Sequence, residues 1–182
     1  MANPPVPVEL AESFQPVIGV AVTLRPLRPE DLDIETAFVE GLSVESRASR
    51  LLGGAVKVTR EYIEHLTQVD YVRDMALAAT VMLEGHETLI GVARYALEPD
   101  GRSCEFALVI ADAWQGRGIG RRMLKKLVAV AAARCVARIY GDTLATNRSM
   151  LGLAKALGFA LARHPDEAYL TRVTLDLAKK DA

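Results

Sequence analysis

The sequence predicts one domain of the α/β (α+β) class, built on a mixed, mostly antiparallel sheet of about seven strands flanked by about four to five helices. Three observations carry this. Short β-prone runs alternate with helical patterns at both ends of the chain. Three β-prone runs follow one another in the middle, separated only by turn residues. An apolar run ending at Ile110 then passes through the glycine-spaced turn Gln115-Gly116-Arg117-Gly118-Ile119-Gly120 into an amphipathic helical pattern. At 182 residues the chain is long enough for one complete core and short for two.

Residues 1–18 are rich in proline and small residues without a sustained period, which predicts a flexible or loosely docked arm before a domain over 19–177 and a tail at 178–182. Order is expected to begin near Val20. Residues 21–25 are β-prone and end at Pro26, and Pro29-Glu30-Asp31 is a proline-acidic start for a helix over 32–42. Ser43 can cap a further helix over 47–52, stopped by Gly53-Gly54, and another starts at Thr59 with Tyr62, Ile63 and Leu66 inside it. Residues 75–83 and 88–97 flank a turn-like segment at 84–87 and form a hairpin. Pro99-Asp100-Gly101 turns the chain into a third strand over 103–110. Beyond Gly118, Ile119, Met123, Leu124, Leu127, Val128 and Ala131 recur at helical spacing, opposite Arg121, Arg122, Lys125 and Lys126. Residues 138–143 read as a strand and 147–157 as a helix closed by Gly158, with Leu161 and residues 170–175 in a last hairpin.

Composition narrows the function classes. Apolar residues make up 51% of the chain, but no run approaches the roughly 18 to 20 residues that cross a bilayer. The N-terminal residues lack the pattern of an export signal, so the expected compartment is the cytoplasm. Cys104 and Cys135 have neither metal-ligand spacing nor the density of a disulfide scaffold, and His65, His86 and His164 are scattered, so no metal is expected. A net charge of -1 supplies no general attraction to nucleic acid or to a membrane. The reading leaves room for a homodimer.

The glycine turn suits an anion, because bare backbone N–H groups and the positive end of a helix dipole converge there and glycine lets a ligand approach the backbone. Arg121 stands where a dinucleotide fingerprint or a P-loop requires glycine. What is left, Q-x-x-G-x-G over Gln115 to Gly120, resembles the acetyl-CoA pyrophosphate loop of the GCN5-related N-acetyltransferases. Asn147 at a helix start and Leu157-Gly158-Phe159 at its end are similar to a second landmark of that family. The resemblance covers roughly residues 20–176. It is nearest to the catalytic domain of bacterial Pat-type protein lysine acetyltransferases in Thr23-Leu24-Arg25-Pro26-Leu27-Arg28-Pro29-Glu30-Asp31, Leu66-Thr67-Gln68-Val69-Asp70-Tyr71, Gly91-Val92-Ala93-Arg94-Tyr95 and Trp114-Gln115-Gly116.

The resemblance implies transfer of acetyl from acetyl-CoA to a primary amine, a protein lysine first; a small amine acceptor and a non-catalytic acyl-CoA sensor are alternatives. A lysine ammonium, with pKa near 10.4, must lose a proton before it attacks, so a base is required. Glu105 resembles the family's glutamate base. Strand alternation places it with Ala107 and Val109, and apolar neighbours would raise its pKa. The backbone N–H of Val109, with Ile110 next, is the candidate donor to the carbonyl oxygen. The amides of Gln115, Gly116, Arg117, Gly118, Ile119, Gly120 and Arg121, together with Asn147, are the candidate acetyl-CoA contacts. Asp70 and Tyr71 are expected at the acceptor entrance. Ala154 occupies the place where many relatives carry a tyrosine general acid, and Cys104 is expected to face away from Glu105.

Overall fold

Among the described residues eight strands share one sheet: β1 (Glu12–Val17), β2 (Val20–Pro26), β3 (Asp74–Leu83), β4 (His86–Leu97), β5 (Ser103–Ile110), β6 (Arg138–Leu144), β7 (Ala160–Arg163) and β8 (Leu170–Asp176). They lie in the order β1-β2-β3-β4-β5-β6-β8-β7, antiparallel throughout except where β5 meets β6. The computed structural model describes residues 6–17, 19–50 and 59–178. Among the described residues five α-helices accompany the sheet: α1 (Leu32–Gly41), α2 (Val44–Arg50), α3 (Arg60–Thr67), α4 (Ile119–Ala133) and α5 (Arg148–Ala156). The expected stop at Gly53-Gly54 and the tail from residue 179 onward lie outside the described residues.

The sheet has one strand more than the pattern suggested, and it comes from the arm. Residues 12–17, expected to be flexible or loosely docked, pair with β2. Glu12 accepts hydrogen bonds from Arg122 (2.8 Å) and Lys126 (2.7 Å) of α4, and the Arg122 guanidinium lies 4.4 Å from the centre of the Phe14 ring. Pro16 disguised this strand, because proline removes a ladder donor; an edge strand tolerates that loss.

β3 is the core of the sheet, with Met75, Ala76, Leu77, Ala78, Ala79, Thr80 and Val81 all buried. α4 covers one side through Ile119, Met123, Leu124, Leu127 and Ala131, the stripe its spacing predicts. Each such Leu contributes about 1.5–3 kcal/mol by leaving water. The segment around Arg25 is a second anchor. The buried Arg25 guanidinium grips both oxygens of Asp31 (2.6 and 2.8 Å) and also donates to Glu87 (2.9 Å). Asp31 in turn accepts from the Arg28 N–H (2.8 Å), and the Tyr71 hydroxyl donates to Leu27 O. β2, the start of α1 and β4 are thereby joined around one cation whose bonds are satisfied, the condition a buried charge requires.

The site depends on a local exception to sheet pairing. β5 and β6 run parallel at three positions only, Ser103 opposite Arg138, Cys104 opposite Ile139 and Glu105 opposite Tyr140. Beyond them β5 stays with β4 as far as Ile110 opposite Gly91, and β6 stays with β8 as far as Leu144 opposite Leu170. A wedge opens between the two halves. At its apex a Cβ on Gly141 would lie 2.8 Å from the Phe106 ring and 2.9 Å from Phe106 O, so only glycine fits. Phe106 also packs on Phe159, with ring centres 5.5 Å apart.

Two outcomes follow for stability. Gly141→Ala is expected to cost about 1–3 kcal/mol by forcing Phe106 away, measured by urea unfolding. Tyr71→Phe is expected to cost about 1–2 kcal/mol through loss of the buried bond to Leu27 O, while leaving acceptor kinetics unchanged.

Candidate active site

The wedge is the inner part of a cleft of about 760 Å³ whose walls come from β5, β6, the turn after β5 and the starts of α4 and α5. Its middle is apolar, with Leu108 and Ile110 of β5 facing Leu153 of α5 across Gly120. Its two ends differ in charge.

At one end α4 begins. Gly116 and Gly118 have φ of +72° and +79°, a left-handed backbone that favours glycine, and an added Cβ at either would meet nothing within 4 Å. The N–H groups of Ile119, Gly120 and Arg121 occupy the first turn of α4, where no preceding turn can accept from them. That first turn contains no acid. Cations at a helix N-terminus oppose the dipole, so Arg121 on the cleft wall is an arrangement that an anion would stabilise.

The turn that leads to α4 is held from the side. The Gln115 N–H donates to Asp112 O (3.3 Å), so this amide, expected among the anion contacts, is already used. Its side-chain Nε2 donates to Ile110 O (3.0 Å) and to Ser46 Oγ (3.1 Å). Asp112 accepts from Ser43 N–H (3.0 Å), Ser43 Oγ (2.7 Å) and Ser46 Oγ (2.7 Å). Those three bonds hold its carboxyl down at about 2. α2 is thus fixed against the rim. Arg117 is not on the cleft wall; its guanidinium lies 5.1 Å from the Trp114 ring centre, a cation–π contact that accounts for this charge. Asn147 is both things at once, capping α5 through Met150 N–H (3.0 Å) and lining the cleft.

At the other end stands Glu105. Its side chain opens into the cleft and, among the described residues, has no hydrogen-bond or ion-pair partner. The cleft walls desolvate it, and the carboxylates of Asp142 and Glu98 add repulsion, so its pKa is raised, against the pull of Arg172 and His164. Arg94, which could have paired with it, donates instead to Leu66 O (2.9 Å). Cys104 is fully buried and its thiol is pushed up to about 12 by burial, so no thiolate nucleophile forms there.

The sheet register reassigns the backbone donors. Glu98 N–H donates to Ser103 O (2.8 Å) at one end of the β4–β5 ladder and Ala111 N–H donates to Ile90 O (2.8 Å) at the other. The odd-numbered residues of β5, Val109 among them, therefore exchange their hydrogen bonds with β4. The Val109 N–H is turned away from the wedge, and the N–H groups of Leu108 and Ile110 face it. Val109 contributes its side chain to the wall only.

Asp70 and Tyr71 do not reach the cleft. Asp70 Oδ1 accepts from the N–H groups of Val72 (2.8 Å), Arg73 (2.9 Å) and Asp74 (2.9 Å), and despite desolvation these donors keep its pKa below the ordinary value. Tyr71 is buried in the anchor around Arg25, and its φ of +55° marks a tight turn. The groups gathered around Glu105 are instead Asp142, which lines the cleft, and Tyr140, Arg172 and His164 outside its wall. No sequence signal pointed to these four, because they join only when β6, β7 and β8 assemble. Among the described residues no helix is long and apolar enough to cross a membrane, and no group of three or more His, Cys, Asp or Glu could hold a metal ion.

Comparison with known proteins agrees with this geometry. A family model described as the Acetyltransferase (GNAT) family matches residues 55–159. An acetyltransferase of Pseudomonas aeruginosa is 35% identical over 150 residues, covering 82% of this chain and 81% of that protein. Acetyltransferase Pat of Mycolicibacterium smegmatis is 29% identical over 171 residues, covering 93% of this chain and 48% of Pat. The crystal structure of the GNAT domain of S. lividans PAT superposes with a TM-score of 0.81 at 23% identity, covering 94% and 99% of the two chains, which shows the same fold. With the pyrophosphate-type loop, the parted strands and the carboxylate at the wedge in place, the chain belongs to the GNAT family of acyl-CoA-dependent N-acetyltransferases.

Proposed function

We propose that this chain moves the acetyl group of acetyl-CoA to the side-chain amine of a protein lysine, by direct attack while both substrates are bound. The observation that carries the proposal is the unpaired Glu105 carboxylate at one end of a cleft whose other end is a glycine turn and a basic first helical turn. The residues present fit acetyl-CoA: the first-turn N–H groups of α4 and Arg121 suit its diphosphate, and the apolar stretch between Ile110 and Leu153 suits its thiol-bearing arm.

The chain's own groups supply a base and donors for the carbonyl oxygen. Glu105 takes the proton that the ammonium must lose, and its raised pKa brings it nearer to the working pH. The N–H groups of Leu108 and Ile110 face the place where negative charge develops on the carbonyl oxygen as the new C–N bond forms. The C–S bond then breaks. The nitrogen gives up its second proton to water as the amide forms, and because Ala154 is fully buried and offers no acid, the departing thiolate takes a proton from water, as a thiol with a pKa near 8.5 allows.

Lysine is favoured as acceptor by two features. Glu105 and Glu45 on the cleft wall attract a cation. Beside Glu105, the exposed residues Ala96 and Ala107 leave an open shelf rather than an enclosing pocket. The likeness to Pat points the same way.

Glu105→Gln is expected to bind acetyl-CoA as before while turnover falls about 100-fold or more, read by isothermal calorimetry and by thiol release. Unchanged turnover would remove Glu105 from the mechanism. For the unaltered enzyme the rate should fall as pH drops through the Glu105 pKa, with its acid limb above the ordinary carboxylate value of about 4.3. A panel of lysine peptides, polyamines and amino sugars tests the acceptor; transfer to the small amines alone would overturn the lysine assignment.

A further inference from the structure

Glu105 is surrounded by charge and yet paired with none of it. Six groups face it. Glu45 comes from α2, Arg94 from β4 and Tyr140 and Asp142 from β6; His164 follows β7, and Arg172 is on β8. Glu98, at the turn between β4 and β5, adds a further carboxylate. Arg172 is the cation with the freedom to disturb the base, since its guanidinium lies 4.9 Å from the centre of the Tyr140 ring, and Tyr140 is the register partner of Glu105.

It is held elsewhere. Arg172 Nε donates to Asp142 Oδ1 (2.9 Å) and Nη2 donates to Asp142 Oδ2 (2.8 Å), a two-point grip on a carboxylate whose side chain is only 7% exposed. His164 completes the clamp. Its Nδ1 accepts from the N–H groups of Asp166 (3.2 Å) and Glu167 (3.0 Å), and its Nε2 lies against the ion pair, 2.9 Å from Arg172 Nη2 and 3.2 Å from Asp142 Oδ2. Both oxygens of Asp142 are therefore occupied, and its charge is directed at Arg172.

We propose that Asp142 is a positioning residue of the acetyl transfer: by holding Arg172 in a two-point ion pair braced by His164, it keeps that cation from pairing with Glu105 and leaves the base open to the acceptor amine. This rests on the acetyl-transfer reading and adds a residue to it. Proton transfer to Glu105 is unchanged in its balance; Asp142 and Arg172 neither gain nor lose a proton. Without Asp142 the guanidinium would be free to turn toward Glu105, and a Glu105 paired with it would be a weaker base.

The test is the pH dependence of kcat at saturating acceptor for Asp142→Asn and Arg172→Gln, each divided by that of the unaltered enzyme so that the acceptor's own titration cancels. Asp142→Asn is expected to move the acid limb to lower pH by about one unit and to lower the plateau. Arg172→Gln is expected to move the limb the opposite way, to higher pH, because it removes a cation and leaves Asp142 unneutralised. Thermal melting and acetyl-CoA binding show that each variant is folded. Should Asp142→Asn not fold, Arg172→Gln decides alone, an upward shift supporting the proposal and a stationary or downward limb overturning it. Limbs that stay in place in active variants defeat the role of Asp142 and leave the acetyl-transfer reading standing. Absence of transfer by the unaltered enzyme to every amine offered would defeat that reading, and this proposal with it.

Discussion

The structure turns on the parting of β5 from β6 after Glu105 and Tyr140. Each strand is committed to its other neighbour for its full length, β5 to β4 and β6 to β8, while Phe106 wedged on Gly141 marks the apex of the gap. Sheets rarely leave such an edge inside, because unpaired N–H groups away from water cost free energy. Here the unpaired edge lines the cleft: the N–H groups of Leu108 and Ile110 face it, and the gap connects the start of α4 with Glu105.

Both ends of the cleft contain arrangements that are unfavourable in isolation. Arginine in the first turn of α4 works against the helix dipole, and a carboxylate crowded by Asp142 and Glu98 resists ionisation. Neither stabilises the fold. They are tolerated because stability is supplied elsewhere, by the doubly covered β3, the apolar stripe of α4 and the satisfied Arg25–Asp31 pair. The motif around Arg25 that resembles the Pat-type enzymes belongs to that supporting part. The bonds from Asp112 and Gln115 to Ser43 and Ser46 connect the two, fixing α2 at the rim.

Signals local to the chain were legible in the sequence. The glycine spacing placed a left-handed turn at the start of α4, the apolar stripe gave that helix its packed face, and alternation separated Glu105 from Cys104. Assignments that depend on strand partners were not. The choice between Val109 and Leu108 as donor is a matter of ladder parity, set by the bond between Glu98 and Ser103 that closes the β4–β5 turn. Asp70 and Tyr71 looked accessible in a polar loop, but tertiary contacts with Leu27 O and three backbone amides absorb them. Asp142, His164 and Arg172 lie on three different segments, so only the pairing of β6 with β8 brings them to Glu105. β1 was hidden by Pro16, and its partners on α4 lie more than a hundred residues away in sequence.

Amide hydrogen exchange followed residue by residue, with and without acetyl-CoA, tests whether the edge of β5 beyond Glu105 is open in the free protein and covered on binding. The Val109 N–H is expected to exchange slowly in both states, whereas the N–H groups of Leu108 and Ile110 exchange readily in the free protein and become protected together with those of Gly118 to Arg121 on binding. Protection of Leu108 and Ile110 already in the free protein, or no change on adding acetyl-CoA, would contradict it.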